Sequence, residues 1–226
     1  MEKIKVKVLR KIQNTPDVVT LYFVPQNKTI VYTAGQYVTV YFEDTDEKNG
    51  KAYSLSSIPS GIEISITVKK IGLFSSKLHE LEPGDGLLIS KPYGFFNVKN
   101  KLPIVAIASG VGISPIWSII RDELGNSRSM TLLYSNKTTN DIVFKDEIDL
   151  LSSQKKIASK YFITRQPGSS FINRRIDITD VQEFIDGKTS FYICGSQDFV
   201  GAMWRLLSSQ GVNERAISTE TFFENQ

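Results

Sequence analysis

One cysteine and one histidine are all that the 226 residues hold. A single thiol, Cys194, excludes an internal disulfide and an iron–sulfur cluster held by four cysteines of this chain. A single imidazole, His79, argues against a histidine-based metal site or catalytic triad, and no metal is expected. A strong surplus of one charge is also lacking. The net charge of +3 and isoelectric point of ≈ 8.8 are too mild to point to nucleic acid. No signal-like apolar stretch opens the chain, because Lys3, Lys5, Lys7, Arg10 and Lys11 punctuate it, so a cytoplasmic protein is expected. One long uncharged run does exist, LPIVAIASGVGISPIWSII at 102–120 between Lys101 and Arg121. Its length suits a membrane span. Two prolines and two glycines inside it, and a change of period between its halves, exclude a span. There is no repeat of fixed period and no low-complexity tail.

What is present is the composition of an ordinary soluble protein, 41% hydrophobic and 23% charged, long enough for one or two domains with real cores. Residues 4–12 alternate apolar and basic, as in a half-exposed strand whose basic face is either solvated or a docking face for an acidic partner. A turn at Asn14-Thr15-Pro16-Asp17 leads to a β-branched and aromatic strand over 18–24. Further strands are expected over 35–42, 51–55, 62–69 and 86–90, with a polar loop at 43–50 and a short helix over 72–81 stopped by Pro83-Gly84. Short strands separated by turn clusters predict an antiparallel sheet closed into a barrel.

The uncharged run opens the second half. Residues 103–108 read as a fully buried strand, Gly110-Val111-Gly112 as a turn, and Ser114 as the N-cap of a helix with Pro115 at its first position. Strand, glycine turn and helix N-terminus form a phosphate-binding arrangement, because free N–H groups and the positive dipole end face one point. Strands over 130–135, 158–164, 190–194 and 216–223 follow, with helices over 144–152, 180–185 and 197–210 between them. The last helix is capped by Ser196 and stopped by Gly211. This alternation predicts a doubly wound parallel α/β sheet with ligands at the strands' carboxyl ends, where Gly110-Val111-Gly112 and Cys194-Gly195-Ser196 both lie.

Each candidate site has a bland alternative. In Lys51-Ala52-Tyr53-Ser54, strand alternation puts Lys51 and Tyr53 on one face. There a planar ligand could lie on Tyr53 with its anionic tail at Lys51 and the Ser54 hydroxyl at the ring edge; otherwise Tyr53 is core and Lys51 is solvated. In Gly72-Leu73-Phe74-Ser75-Ser76, a helix N-terminus could hold a phosphate or simply be serine-capped. Cys194 is either a lining residue or a small buried hydrophobe. Phe222 and Phe223 are adjacent on a strand and so point to opposite faces.

Together these stretches resemble the ferredoxin–NADP reductase-like superfamily, in the family's order and over essentially the whole chain. Lys51-Ala52-Tyr53-Ser54 looks like its Arg-x-Tyr-Ser flavin motif, and Gly72-Leu73-Phe74-Ser75 like its flavin pyrophosphate turn. Gly84-Asp85 and Pro92-Tyr93-Gly94-Phe95-Phe96 follow suit. Ala108-Ser109-Gly110-Val111-Gly112-Ile113-Ser114-Pro115 is similar to its dinucleotide loop, Ile193-Cys194-Gly195 to its nicotinamide-side Cys-Gly, and Glu220-Thr221-Phe222 to its C-terminal Glu-x-aromatic. Lys51 departs from the usual arginine and loses the bidentate fork for phosphate. Val111 departs from a common threonine, Ser109 from a frequent glycine, and no cysteine-rich extension is present.

The resemblance implies a flavin-binding barrel over 1–100 and an NAD(P)H-binding α/β domain over 101–226. It implies an NAD(P)H-dependent oxidoreductase that passes a hydride to bound FAD and electrons on to a ferredoxin, flavodoxin, oxygenase component or small oxidant. Tyr53 would pack on the isoalloxazine and Ser54 would bond near N5. Lys51, Ser75 and Ser76 would hold flavin phosphates, beside Ala52, Gly72 and Phe74. Gly110, Gly112 and Ser114, with Val111 and Pro115, would take the dinucleotide. Cys194 and Gly195 would line the nicotinamide site, and Glu220 and Phe222 would lie by the flavin. Alternatives are an electron-transfer subunit of a larger enzyme, a free-flavin reductase, or a dinucleotide-binding module without turnover. NADH and NADPH are not distinguished. The end of the second parallel strand, Ser135-Asn136-Lys137, has no acid for a ribose hydroxyl, and Lys137 there could meet a 2′-phosphate.

Overall fold

The computed structural model describes residues 3–26, 29–42 and 50–222. The polar loop expected at 43–50, Gly50 apart, lies outside them, and so does Phe223. Six strands fill the first half: β1 (Ile4–Thr15), β2 (Val18–Pro25), β3 (Tyr37–Tyr41), β4 (Lys51–Ser54), β5 (Ile64–Lys69) and β6 (Gly86–Ile89). They pair antiparallel in the order β4-β3-β6-β1-β2-β5. The apolar and basic alternation of the first strand becomes a burial alternation, with Val6 and Val8 inside and Lys5 and Lys7 outside. The strand runs past the expected turn: Asn14 bulges between paired Gln13 and Thr15, its side-chain oxygen accepting from the Thr20 hydroxyl at 2.6 Å. Only Pro16-Asp17 turns, between paired Thr15 and Val18. The sheet's outer strands meet where Leu55 bridges Ile66 and the Ser56 N–H donates to the Ser65 carbonyl at 2.8 Å. That closes a barrel around Leu21, Phe23, Val38, Leu55, Ile66 and Leu87. Leu78 of α1 (Leu73–Glu80) is buried in the same core.

In the second half, β7 (Ile104–Ser109), β8 (Met130–Asn136), β9 (Ala158–Ile163), β10 (Ser190–Ser196) and β11 (Ile217–Phe222) form a parallel sheet. Its order, β11-β10-β7-β8-β9, reverses direction between β10 and β7, which opens a crevice at their carboxyl ends. α2 (Ile113–Glu123) and α3 (Lys145–Ser153) cover one face. α4 (Ile178–Val181) and α5 (Gln197–Ser209) cover the other. Burial on both faces explains why these strands read as unbroken apolar runs. α5 is capped as expected, the Ser196 Oγ accepting from the Phe199 N–H at 3.4 Å, and Gly211 follows it at φ +80°.

Two helix starts differ from the expectation. A 3₁₀ turn, Gly110–Gly112, follows β7 directly, and Gly112 is already helical (φ −59°, ψ −12°), so α2 begins at Ile113. Ser114 is therefore the second helical residue, not the N-cap. Its hydroxyl donates to the Val111 carbonyl at 2.7 Å rather than accepting an amide. Pro115 is third rather than first; its missing N–H still costs nothing, because that position has no intrahelical acceptor. The helix expected over 180–185 starts earlier, where the Asp177 carboxylate accepts from the Thr179 N–H at 2.9 Å, and ends as the 3₁₀ turn Gln182–Phe184.

Barrel and α/β half share one apolar cluster. Val18, Ala34 and Phe96 pack with Ile116, Trp117 and Ile119 of α2.

Candidate cofactor cleft

A cleft of ≈ 1880 Å³ opens between the barrel and the carboxyl ends of the parallel strands. β4 forms one wall. Pairing with β3 sets Tyr53 opposite Val38 and Ser54 opposite Tyr37. All of Lys51, Ala52, Tyr53 and Ser54 reach the cleft, Lys51 and Ala52 as exposed residues. The half-buried Tyr53 ring lies 6.2 Å from that of Phe74 at an interplanar angle of 21°, and burial pushes its phenol up, which keeps it neutral. Ser54 is buried, and its Oγ donates to Glu220 Oε1 of β11 at 2.5 Å. Burial raises the Glu220 carboxyl above the ordinary glutamate range, and the Ser54 hydrogen bond only partly offsets this. The bond thus joins the barrel to the edge strand of the other sheet on the cleft wall.

The turn into α1 reaches the cleft through Gly72, Leu73, Phe74 and Ser75. Ser75 Oγ accepts from the Ile71 and Gly72 N–H groups at 2.9 and 3.0 Å and donates to the Gly72 carbonyl at 3.0 Å. The Ser76 N–H makes the first intrahelical bond, to the Gly72 carbonyl at 2.9 Å, and Ser76 does not line the cleft. Ser75 thus caps its own turn from the cleft wall, and Ser76 lies off the cleft. The first-turn backbone at Gly72 faces the cleft, with nothing within 4 Å of where a Cβ would stand. Lys69 and Lys99 also line the cleft, and no motif had marked them. Lys69 is paired with Asp17 at 3.2 Å. With Lys51 they give three cations against one acid, Glu220, a field suited to phosphates. Leu73 and Phe95, 89% and 87% exposed, form an apolar rim.

The glycine turn forms the other wall, through Val111 and Ser114. Gly112, Pro115, Cys194 and Gly195 are buried behind it, and neither they nor the half-exposed Gly110 are among the cleft's lining residues. A Cβ on Gly112 would lie 2.5 Å from the Cys194 carbonyl oxygen and 2.8 Å from Gly195 Cα. One on Gly195 would lie 2.2 Å from Ser109 Oγ. These glycines let the turn after β7 touch the carboxyl end of β10. At Gly112 the place of the missing Cβ is thus taken up by the backbone of β10. Gly110 (φ +49°) instead has open space beside it. Its carbonyl accepts from the Tyr134 hydroxyl at 2.8 Å, an anchor hidden from sequence reading inside an apolar strand. Cys194 is fully buried among Ala108, Tyr134 and Tyr192, and burial pushes its thiol well up. Of its two readings the small buried hydrophobe describes its position. Phe222 is half-buried, lining the cleft while packing against the cluster that holds Cys194.

Among the described residues no cluster of His, Cys, Asp and Glu could hold a metal, and no helix is long and apolar enough to cross a membrane. An oxidoreductase FAD-binding domain model matches residues 5–98, and an oxidoreductase NAD-binding domain model matches residues 106–204. The chain belongs to the ferredoxin–NADP reductase-like superfamily. A flavohemoprotein of Bacillus subtilis (strain 168) is 28% identical over 95% of this chain, which spans 58% of that protein. The reductase component of a propane 2-monooxygenase from Mycolicibacterium goodii is 29% identical over 98% of this chain and 68% of its own length. The flavohem-like FAD/NAD-binding domain of a nitric oxide dioxygenase from Vibrio cholerae O1 biovar El Tor superposes with a TM-score of 0.89, at 26% identity, over 97% of this chain and 98% of that one. The ferredoxin–NADP⁺ reductase of Plasmodium falciparum shares the fold, with a TM-score of 0.82, 19% identity, and coverage of 97% and 96%. The geometry fits both cofactors of this family. Tyr53 supplies an aromatic wall, Lys51, Lys69 and Lys99 supply cations, and the backbone at Gly72 and Gly110 is open.

Proposed function

We propose that this chain is an NAD(P)H-dependent flavoprotein reductase working in the cytoplasm, divided near residue 100 into a flavin half and a nicotinamide half. The matched ranges 5–98 and 106–204 support that division. The observation that carries the proposal is the cleft itself, where the β4 motif, the glycine-turn wall and the β11 residues Glu220 and Phe222 converge. When bound, flavin supplies what nicotinamide lacks, the acceptance of a hydride followed by release of electrons one at a time. The chain's own residues position and exclude. Tyr53 and Phe222 present ring faces to the cleft, and Ser54 offers a hydroxyl at the β4 end, its proton held toward Glu220. Lys51, Lys69, Lys99 and the Gly72 backbone meet the flavin's phosphates, and the open side of Gly110 with Val111 and Ser114 meets the dinucleotide. The electron acceptor is a carrier such as a ferredoxin, a flavodoxin or an oxygenase component. That the relative from Mycolicibacterium goodii is a reductase component favours the last of these.

The absorbance spectrum tests this directly. Purified or FAD-reconstituted protein shows a flavin spectrum that NADH or NADPH bleaches without oxygen. A protein that takes up neither FAD nor FMN would sink the proposal. A second reading, flavin as a diffusing substrate, is favoured by the self-engaged Ser75 hydroxyl and by lysine at position 51. Flavin lost on gel filtration, with flavin reductase turnover kept, would select it.

A further inference from the structure

A serine stands where α2 is otherwise apolar. Ser118 is fully buried among Ile116, Trp117, Ile119 and Ile120. A hydroxyl in mid-helix ordinarily bonds back to its own preceding turn or faces water. That of Ser118 leaves its helix, and its Oγ donates to the Ser57 carbonyl at 2.5 Å. Ser57, itself buried, is locked into the barrel by its own side chain. Its Oγ accepts from the Ser65 N–H at 2.8 Å and pairs with the Tyr32 hydroxyl at 2.7 Å. Three residues earlier, Ser54 donates to Glu220 of β11. Residues 54–57 are therefore held at both ends by the α/β half, by an edge strand on one side of the crevice and by α2 on the other. α2 also carries Ser114 of the glycine-turn wall, one helical turn before Ser118 and on the same face.

We infer that Ser118 is a positioning residue, whose hydrogen bond to Ser57 sets the approach of the nicotinamide half to the flavin wall. The inference rests on the reductase reading above. It separates two effects. Ser118 touches neither cofactor's place, so its loss leaves binding alone. A shift of the glycine-turn wall relative to β4 changes the approach of the reacting rings, where a displacement of about 1 Å costs on the order of 100-fold.

The test uses the FAD-loaded full chain and anaerobic stopped-flow with NADH and NADPH. Ser118→Ala lowers the limiting rate of flavin reduction about tenfold or more, leaves flavin content unchanged and nicotinamide affinity within about twofold, and weakens the nicotinamide–flavin charge-transfer absorbance. Ser152→Ala removes a half-buried hydroxyl pair within the α/β half (Ser152 to Ser159, 2.7 Å) and controls for the loss of a hydroxyl hydrogen bond away from the cleft; it leaves the rate unchanged. A Ser118→Ala rate equal to wild type overturns the inference. So does a slowing that merely follows lost flavin or lost affinity. If that variant fails to fold, Ser118→Cys, close in size and a weak donor, must reduce more slowly than wild type, and a wild-type rate overturns the inference as firmly. A wild-type protein that folds but is reduced by neither nucleotide refutes the reductase reading itself, and the positioning role with it.

Discussion

Glu220 is the most consequential single residue on the cleft wall, because it is a largely desolvated carboxyl that accepts from the Ser54 hydroxyl. Burial raises its pKa, so folding disfavours its charged form. The sign follows from linkage. A raised carboxyl contributes stability that is full below the ordinary pKa of about 4.3 and is lost as pH climbs through the folded-state value. Glu220→Gln removes that loss while keeping an oxygen to accept from Ser54. Its melting temperature should match wild type near pH 4 and exceed it increasingly toward neutral pH; parallel curves would show that burial does not govern this group. Phe222 is a residue of mixed duty. A fully buried phenylalanine costs roughly 3–5 kcal/mol on truncation to alanine. Half-buried Phe222 should cost less, while Phe222→Ala shifts the flavin spectrum and changes the reduction rate. Thermal melts and stopped-flow on one sample decide this, and an unchanged spectrum and rate would make it a packing residue only.

Among elements, the glycine turn after β7 and the carboxyl end of β10 are the pair whose contact fixes the crevice. Gly112→Ala puts a methyl against the backbone of β10, which no side-chain rotation relieves. Overpacking of this kind costs roughly 1–3 kcal/mol, and an immovable backbone puts it at the upper end. Gly110→Ala meets open space and carries only the left-handed penalty of about 1–2 kcal/mol. Urea titration should therefore rank Gly112→Ala as the less stable, and the reverse order would disprove the contact. This contact also marks where sequence reading stops. The parallel strands were legible as unbroken apolar runs, the barrel strands as alternating ones, and Ser196 and Gly211 as the ends of α5. The start of α2 was not, because a serine before a proline has the form of a cap and nothing local reveals a 3₁₀ turn ahead of it. The turn bonds of Ser75 were not legible either, because a hydroxyl opening a helix serves a ligand or its own backbone equally well on paper. Lys69, Lys99, Tyr134 and the Ser118–Ser57 bond were invisible because the fold, not the neighbouring sequence, brings them to the site. Ser118 and Ser57 are 61 residues apart.

At the scale of the whole molecule, two sheets of different kinds meet through a shared apolar cluster and a few directed hydrogen bonds. The barrel supplies β4 and the α1 turn, the parallel sheet supplies the glycine turns and β11, and neither alone encloses the cleft. β11 is the last described strand of the chain and the edge of its sheet, yet it brings both Glu220 and Phe222 to the cleft, Glu220 against Ser54 of β4. The consequence belongs to biosynthesis. A ribosome that has made the barrel and the first four parallel strands has made surfaces for both cofactors, but not the enclosure between them. The nascent protein can gather its cofactors early, and it gains the means to use them only when residue 222 has been added and folded into place.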